Sequence, residues 1–424
     1  MILIHVVGPG ENLYKISQRY QVPIDRIIED NGLQDPNLLL IGEALIIRKE
    51  NETYTVVRGD TLTGIAARFG IPLEALYKAN DLSSTSVIYP GDVLRIVHED
   101  FEKREAEING YVYQEAEHEV LERMLPELTY LSIFAYPVRE DGSLEEIDDE
   151  SLIALARSYR VAPMMVIANI TNGSFDSDIA HAILNDKEIQ ERLIENVFSI
   201  LRSKGYYGLD VDLEYLYPAD REPYNRFLEK LRRRLHEEGF ILTTAIAPKT
   251  SAEQEGLLYE AHDYGSHGRV VDHVIIMTYE WGYLWSEAMP VAPLNKVEEV
   301  ISYAVTEIPP EKILLGVPNY GYDFNVPKIE EEPAVLLTNY EAIELAKQHL
   351  VSIEFDQEAS SPFFRYRKDG RDREVHFEDP RSVRARIFLM REYGLRGLSF
   401  WTLLSYYRPT WLLVNAYLNV KKVI

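Results

Sequence analysis

The sequence predicts an α/β protein: a (β/α)8 TIM barrel with a small α+β insertion between strands seven and eight, preceded by two βααβ repeats. Three observations predict it. From Ile108 onward, eight short β-rich runs alternate with amphipathic stretches, the pattern a closed parallel barrel needs. Residues 2–97 repeat themselves at one fixed offset of 49 with no gap, so one small unit occurs twice. The run Gly208-Leu209-Asp210-Val211-Asp212-Leu213-Glu214-Tyr215 carries three carboxylates at alternate positions. In a strand all three share one face.

The repeats come first. Gly10-Glu11-Asn12-Leu13 matches Gly59-Asp60-Thr61-Leu62, Ile16 matches Ile65, Pro23 matches Pro72, Asn31 matches Asn80 and Gly42 matches Gly91. Each copy reads strand, helix, helix, strand. Asp60 or Thr61 can cap a helix through Leu62, Ile65, Ala66 and Phe69. Ile71-Pro72 stops that helix and starts the next, which ends near Asn80. Pro90-Gly91-Asp92 then turns into a closing strand. The runs RGDTLTGIAARFG, LYKAND and IYPGDVLRI resemble LysM domains, expected over 1–48 and 52–97. The resemblance implies binding to N-acetylglucosamine-containing glycans such as peptidoglycan or chitin. The implied groove residues are Gly59, Asp60, Thr61, Leu62 and segment 86–89 in copy two, with Gly10, Glu11, Asn12, Leu13 and segment 37–40 in copy one. Gly and Asp at such places also serve turns and caps.

Residues 98–107 are densely charged and read as a linker. The barrel then occupies 108–424, with strands expected over 108–114, 130–138, 164–170, 207–215, 242–248, 273–280, 313–320 and 397–403. Stretches 224–235 and 297–307 are amphipathic helices. The gap before strand eight is too long for one helix, so 323–380 reads as an α+β insertion with a hairpin around Asp369-Gly370. Residues 411–423 read as the last helix.

The acidic run closes the fourth barrel strand, the end at which barrel chemistry sits. Like charges crowded on one face raise one another's pKa, so one can keep a proton near neutral pH, as a general acid for glycoside cleavage must. A solvated strand edge is disfavoured by the apolar partners Leu209, Val211 and Leu213 and by flanking Tyr206, Tyr207 and Tyr215. A hard-cation site is disfavoured because the loop spacing of a calcium hand is missing and no His lies in the run.

Composition narrows the class. The chain has 424 residues, 46% apolar and 27% charged, as expected of two or three globular domains. A net charge of −25 argues against nucleic acid and anionic membrane as partners. Without cysteine, disulfide and thiolate chemistry are excluded. No apolar run is long enough to span a membrane. The opening Met1–Val7 is too short for a signal h-region, so no signal peptide is expected.

The barrel resembles glycoside hydrolase family 18, the chitinase-like enzymes. That family's D-x-x-D-x-D-x-E reads here from Tyr207 to Glu214, with Tyr207 in place of the leading Asp and Leu213 where a Trp is frequent. Met277-Thr278-Tyr279-Glu280 stands for Met-x-Tyr-Asp; Gly316–Gly321 and Ser399-Phe400-Trp401 complete the match. The resemblance implies substrate-assisted retention: Glu214 as general acid, the sugar's own acetamide as nucleophile, Asp212 orienting it, Asp210 behind Asp212, and Tyr279 on the acetamide oxygen. No metal or organic cofactor is implied. Trp401 would floor the sugar, and Tyr111, Asn169, Met277, Trp281, Asn319 and Tyr320 would line the cleft. Glu280 would adjust a subsite, and Tyr207 would act structurally below the site.

Tandem LysM repeats before such a barrel resemble the spore-germination glycosylases of endospore-forming bacteria. This implies an N-acetylglucosaminidase acting on cortex peptidoglycan within the spore. A chitinase and a non-catalytic, lectin-like coat protein are the alternatives. The full acid set of Asp210, Asp212, Glu214 and Tyr279 weighs against the lectin.

Overall fold

The computed structural model describes residues 1–97 and 102–424, which form two compact units, Met1–Lys103 and Arg104–Ile424. In the first unit, β1 (Ile2–Val6) runs into α1 (Leu13–Tyr20), α2 (Ile24–Asn31) and β2 (Ala44–Arg48), and β1 pairs antiparallel with β2. The second copy repeats this with β3 (Glu52–Thr55), α3 (Leu62–Phe69), α4 (Leu73–Ala79) and β4 (Val93–Ile96). The matched asparagines explain part of the repeat. Asn31 donates to the carbonyls of Ile27 and Ile46 and accepts the Ile46 N–H. Asn80 does the same with Leu76 and Arg95. One side chain thereby ties the second helix to the closing strand, over cores built on Ile27, Leu45 and Ile47 in one copy and Leu76, Leu94 and Ile96 in the other.

The second unit opens with β5 (Arg104–Tyr113), α5 (His118–Glu122), β6 (Tyr130–Pro137), α6 (Glu150–Ser158) and β7 (Ala162–Ala168). A small hairpin of β8 (Ile170–Thr171) and β9 (Ser174–Phe175) leads to α7 (Ser177–Asn185), α8 (Lys187–Lys204) and β10 (Gly208–Asp212). Then come α9 (Arg221–Glu237), β11 (Ile241–Ile246), α10 (Tyr264–Val270), β12 (His273–Ile276), α11 (Leu294–Glu307) and β13 (Ile313–Pro318). The insertion comprises β14 (Gly321–Val326), β15 (Val335–Leu337), α12 (Asn339–Gln348), β16 (Glu354–Asp356), β17 (Ser361–Lys368) and β18 (Arg371–His376). The chain returns through α13 (Pro380–Glu392), β19 (Gly397–Trp401), α14 (Arg408–Tyr417) and β20 (Leu418–Val420).

Strands β5, β6, β7, β10, β11, β12, β13 and β19 pair in that order, and β19 pairs back onto β5, closing the expected barrel. Tyr111, Val166, Ala245, Ile275 and Leu314 pack together within it, with Phe134, Met277 and Trp401 against them. The insertion's sheet has the order β15-β14-β18-β17-β16. Its hairpin turns at Asp369-Gly370, where both residues have positive φ (51° and 78°), as a two-residue hairpin turn of the primed type requires.

Three expectations are corrected. The linker was expected to reach residue 107. Its residues 98–101 lie outside the described residues, and Arg104–Glu107 already belongs to β5. The charges misled because they are used inside the fold. Arg104 donates to the carbonyls of Met390, Arg391 and Leu395. Buried Glu107 meets Tyr130, His273, Arg396 and Lys421. The final helix was expected to run through Val423 but stops at Tyr417, because Leu418–Val420 adds a strand beside Arg104–Ala106. The fourth barrel strand was expected to reach Tyr215 but ends at Asp212. Its last pairings are Asp212 with Ala168 and Val211 with Thr244, and Tyr215 turns the chain away at φ +55°.

Candidate active site

Asp210 and Asp212 both stand on β10, two residues apart, and both are buried. Asp210 accepts hydrogen bonds from the Tyr111 hydroxyl at 2.6 Å and the Thr243 hydroxyl at 2.8 Å. Burial lifts its pKa to about 6, and the two donors oppose the rise. Asp212 has one carboxyl oxygen, Oδ1, with no hydrogen-bond partner among the described residues. Its pKa is raised well above the ordinary value by burial, then by the charges of Glu214 and Asp210. A buried oxygen left open costs free energy unless a ligand or a shared proton completes it.

Glu214 lies two residues past the end of the strand and is half-buried. Its pKa rises to about 8, through burial first and the nearby charge of Glu280 second. Glu280 has φ +65° and accepts hydrogen bonds from the hydroxyls of Tyr320 and, at 3.0 Å, Tyr322. The Tyr279 phenol is pushed well above its ordinary range by burial and by Asp212, Glu214 and Glu280, so it stays a donor. The Tyr279 ring stacks on Trp401 at 6.4 Å and 19°. Trp401 in turn takes edge contacts from Tyr111, Tyr113 and Phe134 at 5.4, 5.9 and 5.0 Å. The slot for Tyr279 depends on Gly316: a Cβ there would lie 2.9 Å from the tyrosine ring and 2.5 Å from the Ile276 carbonyl oxygen.

The structure therefore gathers Asp210, Asp212, Glu214, Tyr279, Glu280, Tyr320, Trp401 and Tyr111 at one end of the barrel. Met277 packs against the interior apolar cluster. Trp281 is half-buried, with its backbone N–H on the Val291 carbonyl. Two expected cleft residues are used otherwise. Asn169 is fully buried; its amide nitrogen donates to the carbonyls of Asp176 and Glu214, and its oxygen accepts the Glu214 N–H. The Asn319 amide nitrogen donates to the carbonyls of Thr402 and Ser405. Both amides hold backbone, which their residue type could not reveal. Thr243 went unnoticed in sequence, although Thr243-Thr244 is a polar interruption of an apolar barrel strand. Tyr207 stands at the start of β10 beside Tyr130, 6.2 Å between rings, at the opposite end of the barrel from Glu214.

In the two N-terminal repeats the expected groove residues also serve the local fold. Glu11 accepts the Gly8 N–H at 2.7 Å and meets His5 and Arg19. Asp60 accepts the Val57 N–H and the Tyr54 hydroxyl, each at 2.8 Å. Asn12 and Thr61 cap α1 and α3 by accepting from the N–H groups of Lys15 and Gly64. Leu13 and Leu62 are buried in the module cores. Gly10 and Gly59 have φ of +70° and +99°, which glycine alone adopts freely. These residues shape the loops, while Val6, Tyr14, Ile41, Val57, Val87, Tyr89 and Val93 are exposed apolar side chains of the two repeats.

Residues 108–405 match the profile of glycosyl hydrolases family 18, and residues 5–48 and 54–97 each match that of the LysM domain. Among relatives, the cortical fragment-lytic enzyme of Bacillus subtilis (strain 168) is 41% identical over 427 residues, covering 99% of each chain. The crystal structure of the Bacillus megaterium QM B1551 spore cortex-lytic enzyme SleL superposes with a TM-score of 0.88 at 35% identity, again over 99% of each chain. A chitinase from Chromobacterium violaceum ATCC 12472 shares the fold, with a TM-score of 0.68 at 24% identity over 73% of this chain and 98% of its own.

Proposed function

The chain belongs to glycosyl hydrolases family 18, and on that footing we propose that it hydrolyses β-1,4 bonds at N-acetylglucosamine in spore cortex peptidoglycan. The observation that carries this reading is the half-buried Glu214, its pKa lifted to about 8, beyond two fully buried aspartates. Such a carboxyl keeps its proton at neutral pH and meets solvent where a substrate can reach it. Full-length similarity to cortex-lytic enzymes favours cortex over chitin, since the chitinase likeness speaks only for the fold. The LysM repeats bind the same glycan and hold the enzyme on it. On this reading the protein works in the spore, at the boundary of coat and cortex.

With the roles that membership of the family implies, the groups present carry the reaction. Glu214 gives its proton to the glycosidic oxygen as the C1–O bond breaks. The 2-acetamido carbonyl oxygen of the same sugar bonds to C1 from the opposite face, forming an oxazolinium ion. Asp212 accepts the acetamide N–H through its open oxygen, and the Tyr279 hydroxyl donates to the acetamide oxygen. Glu214, now a carboxylate, takes a proton from water as that water attacks C1 and the acetamide is restored. Two displacements at C1 retain its configuration. Trp401 presents an apolar floor under the sugar.

After burial, the Glu280 charge is the second contributor to the alkaline edge of this activity. Its negative charge opposes ionisation of Glu214, so removing the charge lets Glu214 lose its proton more easily. In Glu280→Gln the alkaline limb of the kcat/KM profile, near pH 8 in the parent, is expected to move to lower pH. An unmoved limb would separate Glu280 from the acid. The function itself is tested by incubating the chain with cortex fragments and, separately, with chitin oligomers, then weighing the products by mass spectrometry. Cortex fragments ending in reducing N-acetylglucosamine are expected. Products from chitin alone, or glycan binding with no product from either, would contradict the proposal.

A further inference from the structure

We propose that His262 and Asn169 are positioning residues that fix the acid by gripping both ends of the Leu213–Glu214 peptide group. The inference rests on Glu214 being the general acid. β10 ends at Asp212, and its backbone ladders to β7 and β11 end there or one residue earlier. Glu214 therefore stands where neighbouring strands no longer hold it. On the β7 side, Asn169 directly follows Ala168, the last residue paired with Asp212. Its side-chain oxygen accepts the Glu214 N–H at 3.0 Å, and its nitrogen donates to the Glu214 carbonyl at 2.9 Å. On the β11 side, His262 Nδ1 accepts the Ala247 N–H at 3.0 Å. That leaves the proton on Nε2, which donates to the Leu213 carbonyl at 3.0 Å.

The carbonyl of Leu213 and the N–H of Glu214 belong to one planar peptide group. Holding its two polar ends from opposite sides fixes the plane from which the Glu214 Cα–Cβ bond departs. Two side chains thus stand in for two missing ladder steps where the strands separate at the barrel mouth. Both are buried, at 0% and 1% exposure, so water does not compete for these bonds. His262 is packed by Tyr224 and His267, with ring centres 6.2 and 6.1 Å away.

The test uses the full chain on cortex fragments and compares His262→Asn with His262→Gln. A glutamine amide nitrogen occupies the place of Nε2 and can still donate to Leu213. An asparagine oxygen occupies the place of Nδ1 and can satisfy only Ala247. His262→Asn is expected to lose kcat about a hundredfold with KM little changed, the cost of misplacing a reacting group by about 1 Å. His262→Gln is expected to restore most of it. Equal kcat in the two variants, after correction for folded fraction, would overturn the proposal. Asn169→Ser, acting from the other strand, covers the case in which the histidine variants do not fold; the same kcat loss is expected, and parental kcat would overturn the proposal. The parent and Glu214→Gln are run alongside. A silent parent, or activity retained in Glu214→Gln, would remove Glu214 as the acid and this inference with it. An active parent with equal histidine variants would remove only the inference.

Discussion

Glu214→Gln is expected to lower kcat on cortex fragments about a thousandfold, within the range a general acid contributes, while glycan affinity stays near that of the parent. The amide preserves shape but has no proton to give the leaving oxygen and cannot act as base on water. The same substitution is expected to stabilise the fold in alkali. The folded protein holds the Glu214 proton up to about pH 8, well above the value of an unfolded glutamate. Between those two values the folded state binds more protons than the unfolded state, so the parent loses stability as pH rises through that window. Glutamine has no such loss. The thermal midpoint of the variant should exceed the parent's above about pH 8, and the gap should close in acid. A variant that keeps a tenth of the parental rate, or melts below the parent in alkali, would contradict the assignment.

The largest stability effect is expected at Arg386→Met. Arg386 on α13 is fully buried and bridges both oxygens of Glu378 at 2.7 and 3.0 Å, with a third bond to the Ala292 carbonyl at 2.6 Å. Burial raises the Glu378 pKa to about 7 despite the arginine beside it. Without the guanidinium the carboxylate is left buried and unpaired, which costs about 3 to 5 kcal/mol. The effect reaches the site, because Ala292 follows Val291, whose carbonyl takes the Trp281 N–H in the loop beyond Tyr279 and Glu280. Thermal unfolding should show the barrel transition falling sharply in the single variant. Arg386→Met with Glu378→Gln should recover much of the loss, since no unpaired charge remains. A single variant that unfolds with the parent would show that the pair contributes nothing.

Most of the architecture was legible because its signals are periodic. Alternation of strand and helix announced the barrel, the fixed offset announced the repeats, and Asp369-Gly370 announced the insertion's hairpin. The acid cluster was legible as a face of alternating carboxylates, yet alternation strictly holds only for Asp210 and Asp212, because the strand ends before Glu214. What places Glu214 comes from Asn169, 45 positions before it, and from His262, 49 positions beyond Leu213, and pattern reading has no access to such pairings. Asn169 and Asn319 looked like sugar-binding amides because free and spent amides have the same letter in a sequence. Glu11 and Asp60 likewise looked like groove residues, while their carboxylates close the loops on which they sit. The charged run before the barrel read as solvated linker because sequence does not show that Arg104 and Glu107 find partners some 290 to 314 residues later.

The most direct test of substrate-assisted retention is the configuration of the first product, followed by proton NMR in the opening minutes of cortex-fragment hydrolysis, before mutarotation mixes the anomers. Two displacements at C1, with the acetamide between them, predict that the β-anomer of the new reducing N-acetylglucosamine appears first. Initial release of the α-anomer would mean a single displacement by water and would contradict the roles given to Asp212, Tyr279 and Glu214.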